Sequence, residues 1–498
     1  MIHLKRPGRG AISLLILAVI VLSLLLLDTS SDTPVVASLH RGPGKIEIGS
    51  DREVGVGARL KLPAQRPHKP VTGDAGVDHS SSGTGNALTA SVPLQAVLDA
   101  IASDIASSAS AFDVAAARSE LGLQLGDITP EGYASELRTT FREFFVSDRT
   151  DARHHDLLDT VLAHLSVLPH PSEPIPREIY TTDLRPKDQL PEQFAFWARE
   201  NHGWTVQFMD DRDIDKWLDE QLPAAGVGVE MKALGGKRGV VRADLFRYLV
   251  LLLHGGVYTD TDTACVRPFD TWTINHDTHA IHPLLASLPH LLSLIPSSTF
   301  QNSPPPTPNP PADISEGDEG GHSVTLGADD GPSLIVAIES DAPASGDDWR
   351  QDSFTRGLQV VQWTLVSKRG HPVMLDVLGR GLRQAKQLRL SEEAEAETAE
   401  APAEDEDDAE KSSGRRDLSA PDILDWTGPG VFTDAVLRYL LVRYGVHPKT
   451  LSGLVRPLRI GDVVVMPLHS FRADASAGYQ GDYRAVWHGF FGRWKGDA

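Results

Sequence analysis

Two aspartates, Asp260 and Asp262, flank a single threonine in the stretch Leu251–Asp270, LLLHGGVYTDTDTACVRPFD. On an extended segment, residues i and i+2 project to the same face. Carboxylates held that close repel unless a cation lies between them. Hard divalent ions such as Mg²⁺ and Mn²⁺ suit carboxylate oxygens and keep positions open for water or phosphate. The bland alternative is a turn or a solvated strand end, which D-x-D pairs commonly are. A second group, Arg242, Asp244, Arg247 and Tyr248, lies just upstream. Asp244 is either a residue of the helix start, where a negative charge suits the dipole, with Arg247 as its i,i+3 partner, or a grip for a sugar hydroxyl beside an arginine that faces an anion.

The elements around these residues follow from periodicity. Leu245, Leu249, Leu252 and Leu253 repeat at helical spacing, and Gly255 is expected to end that helix in a left-handed conformation. Val257–Asp260 then reads as a short strand, so the aspartates stand where a strand leaves the sheet. Open α/β folds keep their ligand crevices there. Upstream, residues 175–180 predict a first strand, Phe194–Glu200 a short helix, Trp204–Phe208 a second strand and Asp213–Gln221 a helix. Strand alternating with helix argues for α/β architecture. Downstream, Ser333–Glu339 reads as a strand, Gln359–Ser367 and Pro372–Leu390 as helices, and Val463–Met466 as a strand.

Two stretches break this order and read as low-complexity insertions, 277–330, which contains PPPTPNPP, and 391–416. The second includes Ser391–Glu410, which has no basic residue and reads as disordered. It supplies much of the formal net charge of -21, and without it the chain is only mildly acidic. Nothing here suits nucleic acid. An apolar content of 41% is enough for a sizeable core. Cys265 is the only cysteine, so no intrachain disulfide exists, and a small buried hydrophobe is its expected role. His276, His279 and His282 have metal-like spacing, but they open an insertion and are not expected to be ligands. His154-His155 reads as a solvated helix end.

At the N-terminus, His3, Lys5, Arg6 and Arg9 precede an uncharged run, Ala11–Leu27. As a helix it spans about 25 Å, enough for a thin early-secretory bilayer. A signal anchor is the expected reading, a cleaved signal peptide the alternative. The positive residues keep 1–10 cytosolic, 11–27 crosses, and the rest faces the lumen. Residues 28–115 are read as a flexible stem and 116–170 as a helical segment, either a cap on the main domain or an oligomerisation element. Residues 171–498 form the expected catalytic domain.

The string GVVRADLFRYLVLLLHGGVYTDTDTACVRPFD resembles the DXD sugar-nucleotide-binding signature of glycosyltransferase family 32, in particular its fungal Golgi initiation-specific α-1,6-mannosyltransferases. Ile175-Pro176 through Trp204, Ile338-Glu339, Gln359–Thr364, Gly370-His371-Pro372, Thr427–Gly430 and Val486-Trp487-His488 resemble further family blocks. The closing block usually has paired histidines and "GSW", whereas here Gly489 and Arg493 replace the second histidine and the serine. The resemblance spans roughly 171–495 and implies a GT-A-like fold, Mn²⁺ or another divalent cation, GDP-mannose as donor, and retention at the anomeric carbon. It implies that Asp260 and Asp262 hold the metal, with Asp260 also near the ribose. Arg242, Asp244, Arg247 and Tyr258 line the donor site, and His488 is placed at the metal or diphosphate. The expected enzyme is a single-pass type II protein of the Golgi membrane acting on glycoprotein N-glycans, with further mannosyltransferase-complex subunits as partners. The alternatives are an inositol-phosphoceramide mannosyltransferase, disfavoured because 425–498 has no run able to span a membrane, and a non-catalytic subunit of such a complex.

Overall fold

The computed structural model describes residues 94–147, 154, 156–167, 173–223, 225–234, 238–285, 331–351, 354–399, 420–472 and 483–490. The expected cytosolic tail, membrane anchor and first part of the stem lie outside them, as do residues 286–330 and 400–416 of the insertions. Among the described residues, no helix is long and apolar enough to cross a membrane.

Nine strands form a mixed sheet in the order β2-β1-β3-β8-β6-β10-β9-β5, with β7 paired to β6. They are β1 (Glu178–Thr182), β2 (Thr205–Met209), β3 (Gly256–Thr259), β5 (Asp277–Thr278), β6 (Leu334–Asp341), β7 (Leu358–Val360), β8 (Thr364–Ser367), β9 (Leu458–Ile460) and β10 (Val463–Met466). A separate ribbon joins β4 (Thr263–Cys265) to β11 (Val486–His488). Strands β2, β1 and β3 run parallel, and β8 lies antiparallel between β3 and β6. Successive side chains alternate faces, and both faces are covered. Tyr180, Tyr258, Leu334, Val336 and Leu365 join the larger core, on the helical side. Ile179, Val257, Ile335, Ala337 and Val366 join a second core that contains Trp197, Trp272 and Trp363. The α/β architecture expected from the sequence is present.

The Gly239–His254 helix is apolar nearly all round and is buried along almost its whole length. It packs on β1, β3, β8 and the Pro372–Ala399 helix. Its end is built differently from the expected left-handed cap. Gly255 has φ 72° but ψ -172°, and Gly256 follows with φ 106°. The chain thereby reverses into β3 beside the backbone of β1. A Cβ on Gly256 would lie 2.6 Å from the Glu178 carbonyl oxygen. Gly256→Ala is therefore expected to lower the unfolding free energy by about 2 kcal/mol or more, since positive φ and a backbone clash add. Thermal unfolding of the two proteins measures it.

Several expectations are corrected. Gln359–Ser367 is not a helix but the strand pair β7 and β8, because its Val, Trp and Thr residues fill both faces of the sheet at period two. The Pro372–Ala399 helix runs nine residues into the acidic stretch. Alanine and glutamate favour helix, and Arg238 pairs with Glu392 at 2.7 Å. Residues 94–115, read as stem, hold the Leu94–Ser110 helix, whose Ile101, Ile105 and Ala109 are buried. Residues 277–285, read as insertion, begin with β5, paired to β9. His154 is buried and hydrogen-bonded to the Gln221 carbonyl rather than solvated. The 116–170 segment contributes Tyr133, Leu137, Phe144 and Val161 to the larger core, which makes it part of the domain.

Candidate active site

Strand β3 stops at Thr259, and Asp260, Thr261 and Asp262 form a turn before β4. The extended geometry expected for the two aspartates is therefore replaced by a turn, and its backbone is tied down. Asp260 N–H donates to the Trp363 carbonyl (2.9 Å), and Gly489 N–H donates to the Asp262 carbonyl (2.8 Å). Thr263 Oγ1 donates to the Asp260 carbonyl (2.6 Å) and accepts from Trp197 Nε1 (2.9 Å). Thr261 Oγ1 donates to Asp183 Oδ2 (2.6 Å). A turn held from four sides keeps both carboxylates in place despite their repulsion.

Both carboxylates stand beside cationic or imidazole groups. Asp260 Oδ1 lies 3.3 Å from Arg247 Nη2, and Asp262 Oδ1 lies 3.3 Å from His488 Nε2. Burial pushes the Asp260 carboxyl up to about 6; Arg247 opposes this and Asp262 adds to it. His488 arrives on β11, where it pairs with Thr263 of β4. Its ring stacks on Trp363, with centroids 4.1 Å apart, and its Nδ1 is buried without a hydrogen-bond partner among the described residues. The two carboxylates and His488 Nε2 are donors of the kind a divalent cation takes, but among the described residues their ligand atoms do not all converge within 4.8 Å as those of His164, His371 and Asp462 do.

Arg247 links the turn to the helix. Burial disfavours its charge, but Asp260 and Asp244 more than compensate and raise its pKa. Its Nη2 is 2.8 Å from Asp244 Oδ1, and its Nη1 donates to the Gln362 carbonyl (3.0 Å). Its guanidinium lies 4.9 Å from the Tyr258 ring centre, and the buried Tyr258 hydroxyl shares a hydrogen bond with Thr182 Oγ1 (3.1 Å). Asp244 is turned inward. Gln362 Nε2 (2.9 Å) and Thr427 Oγ1 (2.8 Å) donate to it in addition to Arg247, and burial raises its pKa despite all three. Asp244 thus positions Arg247. Arg242 is not brought to the turn at all, since its Nη2 lies 2.7 Å from Asp215 Oδ1.

Sequence reasoning missed Asp183 and Arg185, which lie just after β1 and beside Thr261. Arg185 Nε donates to Asp183 Oδ1 (3.0 Å). Burial works to raise Asp183, but Arg185 and Thr261 win and lower it. The same reasoning missed Glu339, which accepts from Trp363 Nε1 (3.1 Å). The signal for the first pair was positional, an aspartate at the end of a predicted strand. Glu339 stood only within Ile338-Glu339, a block that resembles the family, with no role attached to it. Cys265 is buried as expected, its thiol donating to the Arg267 carbonyl (3.0 Å), with burial pushing it up to about 11.

A second polar cluster, His164, His371 and Asp462, lies elsewhere in the fold. Val373 N–H donates to His371 Nδ1 (3.3 Å), so the neutral ring carries its proton on Nε2, facing Asp462 Oδ2 at 3.6 Å. Tyr439 and Tyr444 hydroxyls also donate to Asp462. His164 Nδ1 lies 3.0 Å from the same carboxylate, and the ligand atoms of the three residues all fall within 4.8 Å of one another, so this cluster has the geometry to hold a metal ion.

Residues 191–279 match the family described as "Glycosyltransferase sugar-binding region containing DXD motif". The chain is 26% identical to an initiation-specific alpha-1,6-mannosyltransferase of Candida albicans, over 66% of this chain and 74% of that protein. It is 25% identical to the protein of the same name from Schizosaccharomyces pombe, over 73% and 74%. It is 29% identical to the putative glycosyltransferase HOC1 of Saccharomyces cerevisiae, over 47% and 42%. Among solved structures it is similar to the PaToxG glycosyltransferase, at 12% identity and a TM-score of 0.27, over 63% of this chain and 81% of that one, a likeness too slight to bear on the fold. The matched region contains the Asp260–Asp262 turn together with Arg247 and Tyr258, so geometry and likeness meet on the same residues, and the chain is a glycosyltransferase that carries a DXD-containing sugar-binding region.

Proposed function

We propose that the protein transfers mannose from GDP-mannose to an N-glycan of a glycoprotein, forming an α-1,6 bond with retention of configuration, as a divalent-cation-dependent enzyme of the Golgi membrane. The observation that carries the reading is the turn itself, which presents two carboxylates with Arg247 on one side and His488 on the other. The names of the relatives, alpha-1,6-mannosyltransferases, suggest the sugar and the linkage. Asp260 and Asp262 would hold Mn²⁺, with His488 beside them. When bound, the cation supplies charge stabilisation to a diphosphate leaving group, worth several kcal/mol. Arg247 sets the position of Asp260. Tyr258, with its ring 4.9 Å from the Arg247 guanidinium, helps fix Arg247 behind the turn. Arg185 adds positive charge beside the turn, on the side where an anionic nucleotide would lie.

The test is a screen of sugar nucleotides with the full chain, with and without Mn²⁺, against mannose-containing acceptors. Transfer from GDP-mannose that needs the cation is expected. Transfer from UDP-sugars alone would leave the fold standing and defeat the donor assignment. A pH dependence follows from Asp260, whose carboxyl must be ionised to bind a cation. Mn²⁺ affinity should be level above about pH 6 and fall below it, approaching a tenfold loss for each unit of pH per proton displaced. Calorimetric titration with Mn²⁺ between pH 5 and pH 8 measures it.

A further inference from the structure

Glu339 is the one residue of β6 that is not fully buried. It also sits at an irregularity. Ile338 pairs with Val360 and Ser340 with Gln359, so two steps along β6 oppose one along β7 and Glu339 is the extra residue. Bulges of this kind re-aim a side chain and are common beside active sites. Here the carboxyl turns toward Trp363, whose indole Nε1 donates to Oε1 (3.1 Å), while Gln359 Nε2 donates to Oε2 (2.9 Å). The Gln359 amide has one orientation, because its oxygen accepts from Thr355 N, Thr355 Oγ1 and Arg356 N. Its NH₂ must therefore face Glu339. Both carboxylate oxygens are anchored by neutral donors, and each keeps acceptor capacity for one more hydrogen bond.

The position of this carboxylate is informative. The other face of Trp363's surroundings belongs to the turn: His488 stacks on Trp363 and touches Asp262. Glu339 thus lies across one aromatic pair from the corner that would hold the diphosphate. A carboxylate repels a diphosphate, and the arginines Arg247 and Arg185 stand by the turn instead. What a fixed, acceptor-only group does bind is a hydroxyl. Burial opposes its charge and raises its pKa, so a hydroxyl donor is of greater value to it there than in water.

We propose that Glu339 is the acceptor-binding carboxylate of this enzyme, holding the attacking hydroxyl of the acceptor sugar beside the donor. This rests on the glycosyltransfer reading above and adds to it a residue for the second substrate. The alternative role is structural, anchoring Trp363 only.

The experiment compares the full chain with Glu339→Gln and Glu339→Asp, using GDP-mannose as donor. Hydrolysis of the donor to water is measured without acceptor, and transfer is measured to methyl α-mannoside, together with melting temperatures. For Glu339→Gln, acceptor kcat/KM should fall by about 10- to 100-fold, the range for losing a hydrogen bond to a charged group, while hydrolysis is little changed. Glu339→Asp keeps the charge but shortens the reach, and should raise acceptor KM with kcat largely retained. An acceptor kcat/KM unaltered in Glu339→Gln, or hydrolysis and transfer falling together, overturns the acceptor role. A wild-type chain that neither hydrolyses nor transfers from any sugar nucleotide overturns the functional reading, and the acceptor role with it.

Discussion

Asp262→Asn should abolish sugar transfer while leaving the melting temperature nearly unchanged. The substitution keeps the side-chain volume, and the turn's own bonds to Trp363 and Gly489 run through the backbone, so the fold loses little. What disappears is one of the two negative charges that would bind the cation. Several kcal/mol of leaving-group stabilisation correspond to a rate loss on the order of 10³-fold or more. Steady-state assays with GDP-mannose and Mn²⁺ give the rate, and a thermal melt gives the stability. Turnover at the wild-type level would remove the metal assignment. A large fall in melting temperature would show Asp262 to be a structural partner of His488 instead.

Arg247→Met should have the largest effect on stability of any single change in the site. Arg247 is buried, and it neutralises both Asp244 and Asp260. Removing one partner of a buried ion pair costs about 3–5 kcal/mol, because the other charge stays behind. The sign of its pH dependence follows. Asp260 already titrates near 6 in the folded protein, above the unfolded carboxylate value, and Asp244 is raised as well. Without Arg247 both rise further. A carboxyl raised in the folded state penalises the fold above its folded pKa, and the penalty is relieved as pH falls toward the unfolded value. The variant should therefore be weakest relative to wild type at neutral pH and above, and the Asp260 share of the deficit should shrink as pH falls toward about 6, below which wild-type Asp260 protonates as well and the two proteins gain together. Urea denaturation at several pH values measures this. A deficit that does not change with pH would mean that lost packing, not stranded charge, is responsible.

Much of the site was legible because its chemistry lies in short sequence range. Arg247, Tyr258, Asp260 and Asp262 fall within one helix, one strand and one turn, and the helical leucines with Gly255-Gly256 mark where those elements meet. The less legible parts came from distant segments. Gln359–Ser367 has apolar residues that suit either a helix or a strand over so short a run. Only its place between β3 and β6 decides for strand, and that choice delivers Gln362 to Asp244 and Trp363 to Asp260. The first nine residues of the acidic run were misread for the opposite reason, since composition said disorder while alanine and glutamate continue a helix already nucleated upstream as far as Ala399.

The sequence alone determined the α/β class, the apolar helix, the strand behind the double glycine and the two aspartates after it, because periodicity, backbone freedom and charge repulsion are local properties. The tertiary structure decided which charges face the site and which hold it together. It sent Arg242 to Asp215, turned Asp244 inward as a support for Arg247, and bent the aspartates into a turn. It also carried His488 across the chain on β11 and Glu339 out of β6 on a bulge. Those outcomes depend on strand register and on desolvation, and both are set by contacts between different elements, from β6 with the nearby β7 to β11 with the distant β4.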